Sequence, residues 1–299
     1  MSSAAINQSD SLTRTIALMN QKGGVGKTTT AVNLAAGLAA LGRSTLLIDL
    51  DPQAHASLHL GVAQAEAPEP RRPTVYDVLT AEVSGHALGA TFDAALVKAR
   101  DHLWVLPAET DLAGVETELA PIPPAQRTST LRRAVEQSTQ RFEFVLIDCP
   151  PSLGTLTLNG LCLAREVFIP MQAQFLALQG VGKLLETVKL ISQEANPLLR
   201  VTGVVLCAHD TATTHSREVV ADLDSFFESA RATNEPWRSA RVYRPAIRRN
   251  IKLAEAPSFG KSIFEYEPTC PGASDYRKLA DILAREWDEV KARLAAKAG

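Results

Sequence analysis

The residues Thr15–Thr30, TIALMNQKGGVGKTTT, run a short apolar segment into a glycine cluster and then into a threonine-rich helix start. Thr28–Leu41 continues with Val32, Leu34, Leu38 and Leu41 at helical spacing, and Gly42 stops it. Thr45–Leu50 (TLLIDL) is a second buried-strand pattern. Strand, glycine loop, helix and strand in this order predict a βαβ unit and a parallel sheet. A tight glycine loop lets backbone N–H groups converge on phosphate oxygens, and the helix N-terminus behind it adds its positive end. Lys27 is then placed to reach β- and γ-phosphates, and the Thr28 hydroxyl to ligate Mg2+. A glycine-rich turn that binds nothing is the bland alternative, and Gly-Lys-Thr in this strand–loop–helix setting argues against it.

The loop departs from the common phosphate-loop pattern G-x-x-x-x-G-K-[ST], which would place glycine where this chain has Gln21. It carries instead a second lysine, Lys22, at the loop's start. A long cation there cannot easily fold back onto its own phosphates, but it can reach a phosphate held by a second subunit. The plain alternative is a solvated surface lysine.

Outward from this loop, further apolar runs at Leu103–Pro107, Phe144–Asp148, Glu166–Pro170, Val201–Cys207 and Lys261–Phe264 are strand candidates. Helical patterns lie between them, among them Leu131–Gln140 and Gly180–Gln193. Continuous apolar strands separated by helices imply a sheet covered on both faces. The expectation is a single doubly wound, mostly parallel α/β domain over 14–299, preceded by a flexible tail, 1–13. Ala65–Pro73, with three prolines, reads as an exposed loop near 64–74. At Tyr276–Ala296 a helix sets Leu279, Ile282, Leu283, Trp287, Val290 and Leu294 near one stripe. Its polar face mixes acids (Asp281, Glu286, Asp288, Glu289) with bases, so docking on the protein's own sheet is favoured over an anionic membrane.

At 299 residues, 45% hydrophobic and 21% charged, the chain can bury a sizeable core and is neither disordered nor low-complexity. No apolar run is long enough to span a membrane, and the N-terminus lacks the apolar core of a secretory signal. A cytoplasmic protein is expected. Cys149, Cys162, Cys207 and Cys270 show neither C-x-x-C pairing nor metal-ligand spacing, so they read as buried thiols.

The segment KGGVGKTTT resembles the deviant Walker A motif of the ParA/MinD/nitrogenase-iron-protein family of ATPases. In that family the early lysine crosses a dimer interface to the partner's nucleotide, and the resemblance implies this role for Lys22. Leu47–Gln53 (LIDLDPQ) resembles the family's second acidic motif, and Val145–Pro151 its Walker B strand. Ala254–Lys261 (AEAPSFGK) is similar to a stretch of the ParA/Soj partitioning branch. The resemblance runs from Thr15 to about Leu283. It implies ATP bound by Lys22, Gly23, Gly24, Val25, Gly26, Lys27, Thr28 and Thr29, with Arg249 and Asn250 towards the adenine. Family members usually have proline before that Arg-Asn pair; here it is Arg248.

Phosphoanhydride hydrolysis needs charge neutralisation and an aligned water more than covalent help. Asp148, ending an apolar strand, is expected to hold Mg2+ through water beside Thr28. Asp51 is expected to orient the attacking water, completing a catalytic set with Lys22 and Lys27. Asp49 either supports the metal shell or caps the strand end. The family usually reads D-P-Q-G-N after the second aspartate; this chain reads Asp51-Pro52-Gln53-Ala54-His55, which stiffens the loop.

On a chain of net charge −2, the run Arg238, Arg241, Arg244, Arg248, Arg249 and Lys252 contains no acid and is a strong local asymmetry. Such residues give salt-sensitive, sequence-independent DNA affinity, or else form a solvated loop or a nucleotide clamp. Arg241, Arg244, Lys252, Arg277 and Lys278 are the expected DNA contacts. The stretch ahead of the first strand is too short for a helix-turn-helix module, so operator binding is not expected. The resemblance implies an ATP-driven homodimer that binds double-stranded DNA non-specifically on the nucleoid. It also implies slow hydrolysis stimulated by a ParB-like centromere-binding protein; from the mixed-charge C-terminal helix, no membrane partner is expected. A MinD-like membrane-positioning ATPase would want a basic C-terminal helix, an iron–sulfur carrier a cysteine cluster, and a tyrosine kinase a tyrosine-rich tail. A relative that positions another cargo shares the same switch and differs only in partner.

Overall fold

A computed structural model of the chain describes residues 12–63, 71–173, 177–209 and 214–298. In chain order the strands are β1 (Arg14–Leu18), β2 (Thr45–Asp49), β3 (Val97–Arg100), β4 (Leu103–Leu106), β5 (Phe144–Asp148), β6 (Glu166–Met171), β7 (Arg200–Leu206) and β8 (Arg241–Tyr243). The helices used below are α1 (Lys27–Ala40), α2 (His55–His59), α3 (Val75–Thr80), α4 (Leu88–Ala95), α5 (Val115–Glu118), α6 (Pro124–Arg127) and α7 (Thr130–Gln137). They continue with α8 (Thr155–Leu163), α9 (Ala177–Glu194), α10 (Thr214–Ala230), α11 (Ile251–Glu255), α12 (Ile263–Tyr266) and α13 (Pro271–Ala298).

Among the described residues these strands form one sheet in the order β3-β4-β2-β5-β1-β6-β7-β8. Only β3 runs antiparallel to its neighbour, β4. β1, β2 and β5 are buried at every residue, as continuous apolar strands in a doubly covered sheet must be. Ile16 and Leu18 of β1 and Leu47 of β2 face a core shared with α1 and α13. Ala17, Leu46 and Ile48 face the opposite core, beneath α3, α4, α7, α9 and α10. The chain winds from β1 to one edge, returns through β5, and builds the other edge from β6 to β8. Its direction changes around β1, and in such sheets the crevice beyond the strand C-termini at that point receives ligands.

The doubly wound α/β sheet expected from the sequence is therefore the one observed. The C-terminal helix also docks on its own body, with Tyr276, Leu279, Leu283 and Trp287 buried. Gly37 permits the approach, since a Cβ there would meet the Ala280 Cβ at 2.9 Å. The Tyr276 and Thr30 hydroxyls pair at 3.0 Å across the joint.

Lys261–Phe264 corrects the sequence reading: it is not a strand. Ser262 and Glu265 form a capping box that starts the short helix α12, because the Glu265 carboxylate satisfies both the Ser262 N–H and its hydroxyl. β3 and β8 were not foreseen. The expected tail falls mostly outside the described residues, as does most of the proline loop, 64–70. Thr13, placed in that tail, donates its hydroxyl to the Phe142 carbonyl at 2.8 Å. All four cysteines are buried and unpaired.

Candidate active site

The loop between β1 and α1 turns on Gly24 and Gly26, whose φ angles of +69° and +96° suit glycine. At Gly26 a Cβ would also press on Cys207 at 3.1 Å. Gly26 is the N-cap of α1 and supplies no side-chain cap, and no acid stands in the first turn. The leading N–H groups of α1 are thus left for an anion rather than for the protein itself. Lys27 is buried and its Nζ lies 3.4 Å from the Lys22 carbonyl. Burial lowers its pKa, while Asp148 and Asp51 pull it back up. Lys22, Gly23 and Gly24 are exposed, and Thr28 and Thr29 are half-buried at the helix start.

Asp49 and Asp148 end adjacent parallel strands and stand opposite each other in register. Both are wholly buried, yet they are treated differently. Asp49 accepts the Asp51 N–H at 3.2 Å on one oxygen; on the other it accepts the Ser57 N–H at 2.9 Å and hydroxyl at 2.7 Å. Burial still lifts its pKa to about 6 against those bonds. Neither oxygen of Asp148 has a hydrogen-bond partner. Burial, then the neighbouring Asp49, pushes its carboxyl well above the usual range, and the Thr28 hydroxyl and Lys27 ammonium oppose this. An unpartnered buried carboxylate is expensive unless something else meets it. Among the described residues no group of three or more His, Cys, Asp or Glu forms a metal cage.

Asp51 is half-buried at the mouth of β2 and accepts the Gln53 N–H at 3.0 Å. The loop then turns through Ala54 at φ 52° and ψ 30°. This is the left-handed conformation that favours glycine, so the family's glycine at this position has a backbone reason, and alanine keeps the turn at a cost of about 1 kcal/mol. His55 is exposed beside Thr28 and Thr29.

Next to the loop lies a cavity of about 490 Å3, bordered by Gly24, Cys207, Ile247, Arg249, Asn250 and Leu253. Arg249 and Asn250 therefore meet the phosphate loop across one pocket. The Asn250 side chain also caps α11, accepting the Lys252 N–H at 2.9 Å.

The residues expected to contact DNA are not brought together as one free patch. Arg241 pairs with Glu286 and stacks over Tyr243 with 4.7 Å to the ring centre. Glu286 also meets Arg14, the first residue of β1, so Arg241 belongs to the sheet end away from the phosphate loop. Arg244 pairs with Asp224 at 2.6 Å, Lys252 with Glu255 at 2.9 Å, and Arg248 with Asp275 at 2.7 Å. Arg277 lies over the Phe264 ring, and Lys278 is exposed one residue further along α13. Sequence reading missed Ser57, which locks Asp49 to α2 and accepts the Ala108 N–H at 3.0 Å. It also missed Asn33, which donates to the Thr29 carbonyl and accepts the Ile263 N–H, each at 2.8 Å. Neither residue stands out locally, since the Ala108 and Ile263 N–H groups that they accept are remote in sequence.

A β-strand, glycine loop and uncapped helix facing two acid-tipped strands define a P-loop nucleotide-binding protein with an additional lysine at the loop's start. The family described as an AAA domain matches residues 13–201. The chain is 41% identical over 278 residues to the chromosome partitioning protein ParA of Caulobacter vibrioides, covering 92% of this chain and 96% of that one. It is 42% identical over 273 residues to the chromosome-partitioning ATPase Soj of Thermus thermophilus, covering 91% and 96%. It belongs to the ParA/Soj family of partitioning ATPases. A solved structure named cobyrinic acid a,c-diamide synthase, from Mycobacterium smegmatis with bound ADP and magnesium, superposes with a TM-score of 0.72. That protein is 37% identical, with 93% of this chain and 96% of that one covered.

Proposed function

We propose that this protein is an ATP-operated dimerisation switch for DNA segregation. ATP occupies the phosphate loop with its base in the cavity beside Arg249 and Asn250, and two protomers close on each other's nucleotides through Lys22. The closed dimer holds double-stranded DNA without sequence preference. Slow hydrolysis, stimulated by a ParB-like centromere-binding partner, reopens it on the nucleoid. The observation that carries the reading is Asp148: a wholly buried carboxylate with both oxygens unpartnered, beside Thr28 and Lys27. Those groups fit Mg2+, held by the Thr28 hydroxyl and by Asp148 through water, and when bound it supplies charge neutralisation on the phosphates. Asp51 holds the attacking water, and Lys27 offsets charge on the phosphates. Asp49, with both oxygens committed to Asp51 and Ser57, acts as the cap that sets Asp51 rather than as a metal ligand.

The test is binding to a random-sequence DNA duplex with ATP, ADP and no nucleotide across a salt series, with sizing of each state. ATP-dependent dimers and salt-sensitive DNA binding are expected. Lys22→Ala should bind ATP and remain monomeric. ATP dimers with no DNA binding in any state would turn the reading towards a relative that tracks a membrane or a protein assembly. ATP-dependent dimers of Lys22→Ala would remove the lysine from the interface.

A further inference from the structure

The segment that lines the base side of the cavity, from Ile247 to Ala254, does not end there. It runs on through α11 and the turn 256–261 to α12, and that turn packs against the far end of the switch helix α2. The contact is built from both backbones. Gly61 and Gly260 stand back to back, each with positive φ (+68° and +63°), so closely that a Cβ on Gly260 would meet the Gly61 Cα at 3.3 Å. His59 is buried in the same joint.

One side chain fastens the two segments. Arg100, the last residue of β3, gives its guanidinium to the Gly260 carbonyl at 3.0 Å, the Leu60 carbonyl at 3.4 Å and the Glu265 carboxylate at 2.5 Å. Leu60 closes α2, Gly260 closes the turn, and Glu265 is the acid that caps α12. A planar fork with donors on several edges suits this arrangement, and a lysine could satisfy only part of it. The loop carrying Asp51 therefore has two anchors. Ser57 ties the middle of α2 to Asp49 on β2, and Arg100 ties its end to the segment that reaches the base cavity. No part of the second route passes through the phosphate loop.

We propose that Arg100 is a positioning residue that links the base cavity to the switch loop, so that a bound base orders residues 55–61 and with them Asp51. This rests on the reading of the 490 Å3 cavity as the base site and of Asp51 as the residue that aligns water. A ligand shifts the loop only if it favours one arrangement of it, and the joint supplies that difference by making α2 move with the 256–261 turn.

Hydrogen exchange on the full chain tests the link, with ADP and with pyrophosphate, which carries phosphates but no base. In the wild type, ADP should slow exchange at least three-fold more than pyrophosphate, both at 247–254 and at 55–61. In Arg100→Gln the excess should persist at 247–254 and vanish at 55–61, and Arg100→Lys should restore part of it. Turnover should follow, with kcat for ATP about ten-fold lower in Arg100→Gln and KM within two-fold. A thermal melt of each variant confirms folding, and the milder lysine variant carries the test if glutamine unfolds the chain. An excess at 55–61 that survives Arg100→Gln would overturn the link. So would an equal loss of protection at both segments, which marks general loosening. If ADP gives no excess at 247–254 even in the wild type, the base-site reading itself fails and the proposal falls with it.

Discussion

At the C-terminal mouth of β1, β2 and β5, three carboxylates and one buried ammonium crowd together, and Asp148 has no hydrogen-bond partner at all. Along 238–252 the opposite holds. Arg241, Arg244, Arg248 and Lys252 each lie within ion-pair reach of an acid drawn from elsewhere in the chain or from the next helical turn. In the first region burial raises the carboxyl pKa of Asp49 and Asp148, a desolvation cost that a proton or a bound cation relieves. In the second, the surface pairs of Arg244 and Lys252 are weak enough to be exchanged for phosphates at small cost, whereas Arg248 is held by the buried Asp275. A charge cluster conspicuous in sequence can therefore be nearly neutral in space, while one aspartate at the end of an apolar strand marks the site.

The sharpest way to break this contrast is at Asp51. Asp51→Ala should lower ATP turnover by about 10²-fold or more while leaving ATP-dependent dimers intact, as removal of a water-orienting group does. Dimers that form and still turn over at the wild-type rate would take Asp51 out of the chemistry. A smaller effect is expected from the basic stretch. Arg244→Glu with Lys252→Glu should lower the slope of log DNA affinity against log salt by about one unit for each phosphate no longer neutralised. Dimerisation should be spared; an unchanged slope would return these two residues to their ion pairs with Asp224 and Glu255.

The smallest effect concerns Asp49. Its folded pKa of about 6 stands above the unfolded value of 3.8, so the folded protein binds this proton more tightly. The group costs stability above about pH 6, and the cost fades as pH falls towards 4. Unfolding of the nucleotide-free protein at pH 7.5 and pH 5, beside Asp49→Asn, isolates it from other carboxylates. The wild type should be weaker relative to the variant at pH 7.5 than at pH 5. A gap independent of pH would mean that Asp49 is not the titrating group.

Legibility in the sequence followed the distance over which each feature is held together. The phosphate loop, its helix and the central strands were readable because apolar periodicity and glycine placement are local properties. Asp51 and Asp148 were readable because they end apolar runs. β8 was not, since a three-residue strand that opens on Arg241 and is followed by Arg244 carries no periodicity, and only Val242 and Tyr243 are buried. Lys261–Phe264 misled because its apolar pair resembles a strand, while Ser262 and Glu265 decide for a helix. The joints built on Ser57, Asn33 and Arg100 connect residues up to 230 positions apart, and nothing in the neighbourhood of either partner announces the other. The split of the basic residues was hidden for the same reason, because Glu286, Asp224 and Asp275 come from remote helices.

The two borders of the sheet bear on how copies of this protein can assemble. β3 runs antiparallel, is only four residues long, and carries Lys98 and Arg100. At the opposite border β8 has three residues, and Pro245 follows two positions later. Short, charged or proline-limited borders resist strand-to-strand extension. Both borders thus disfavour a continuous hydrogen-bonded ribbon running from one subunit to the next.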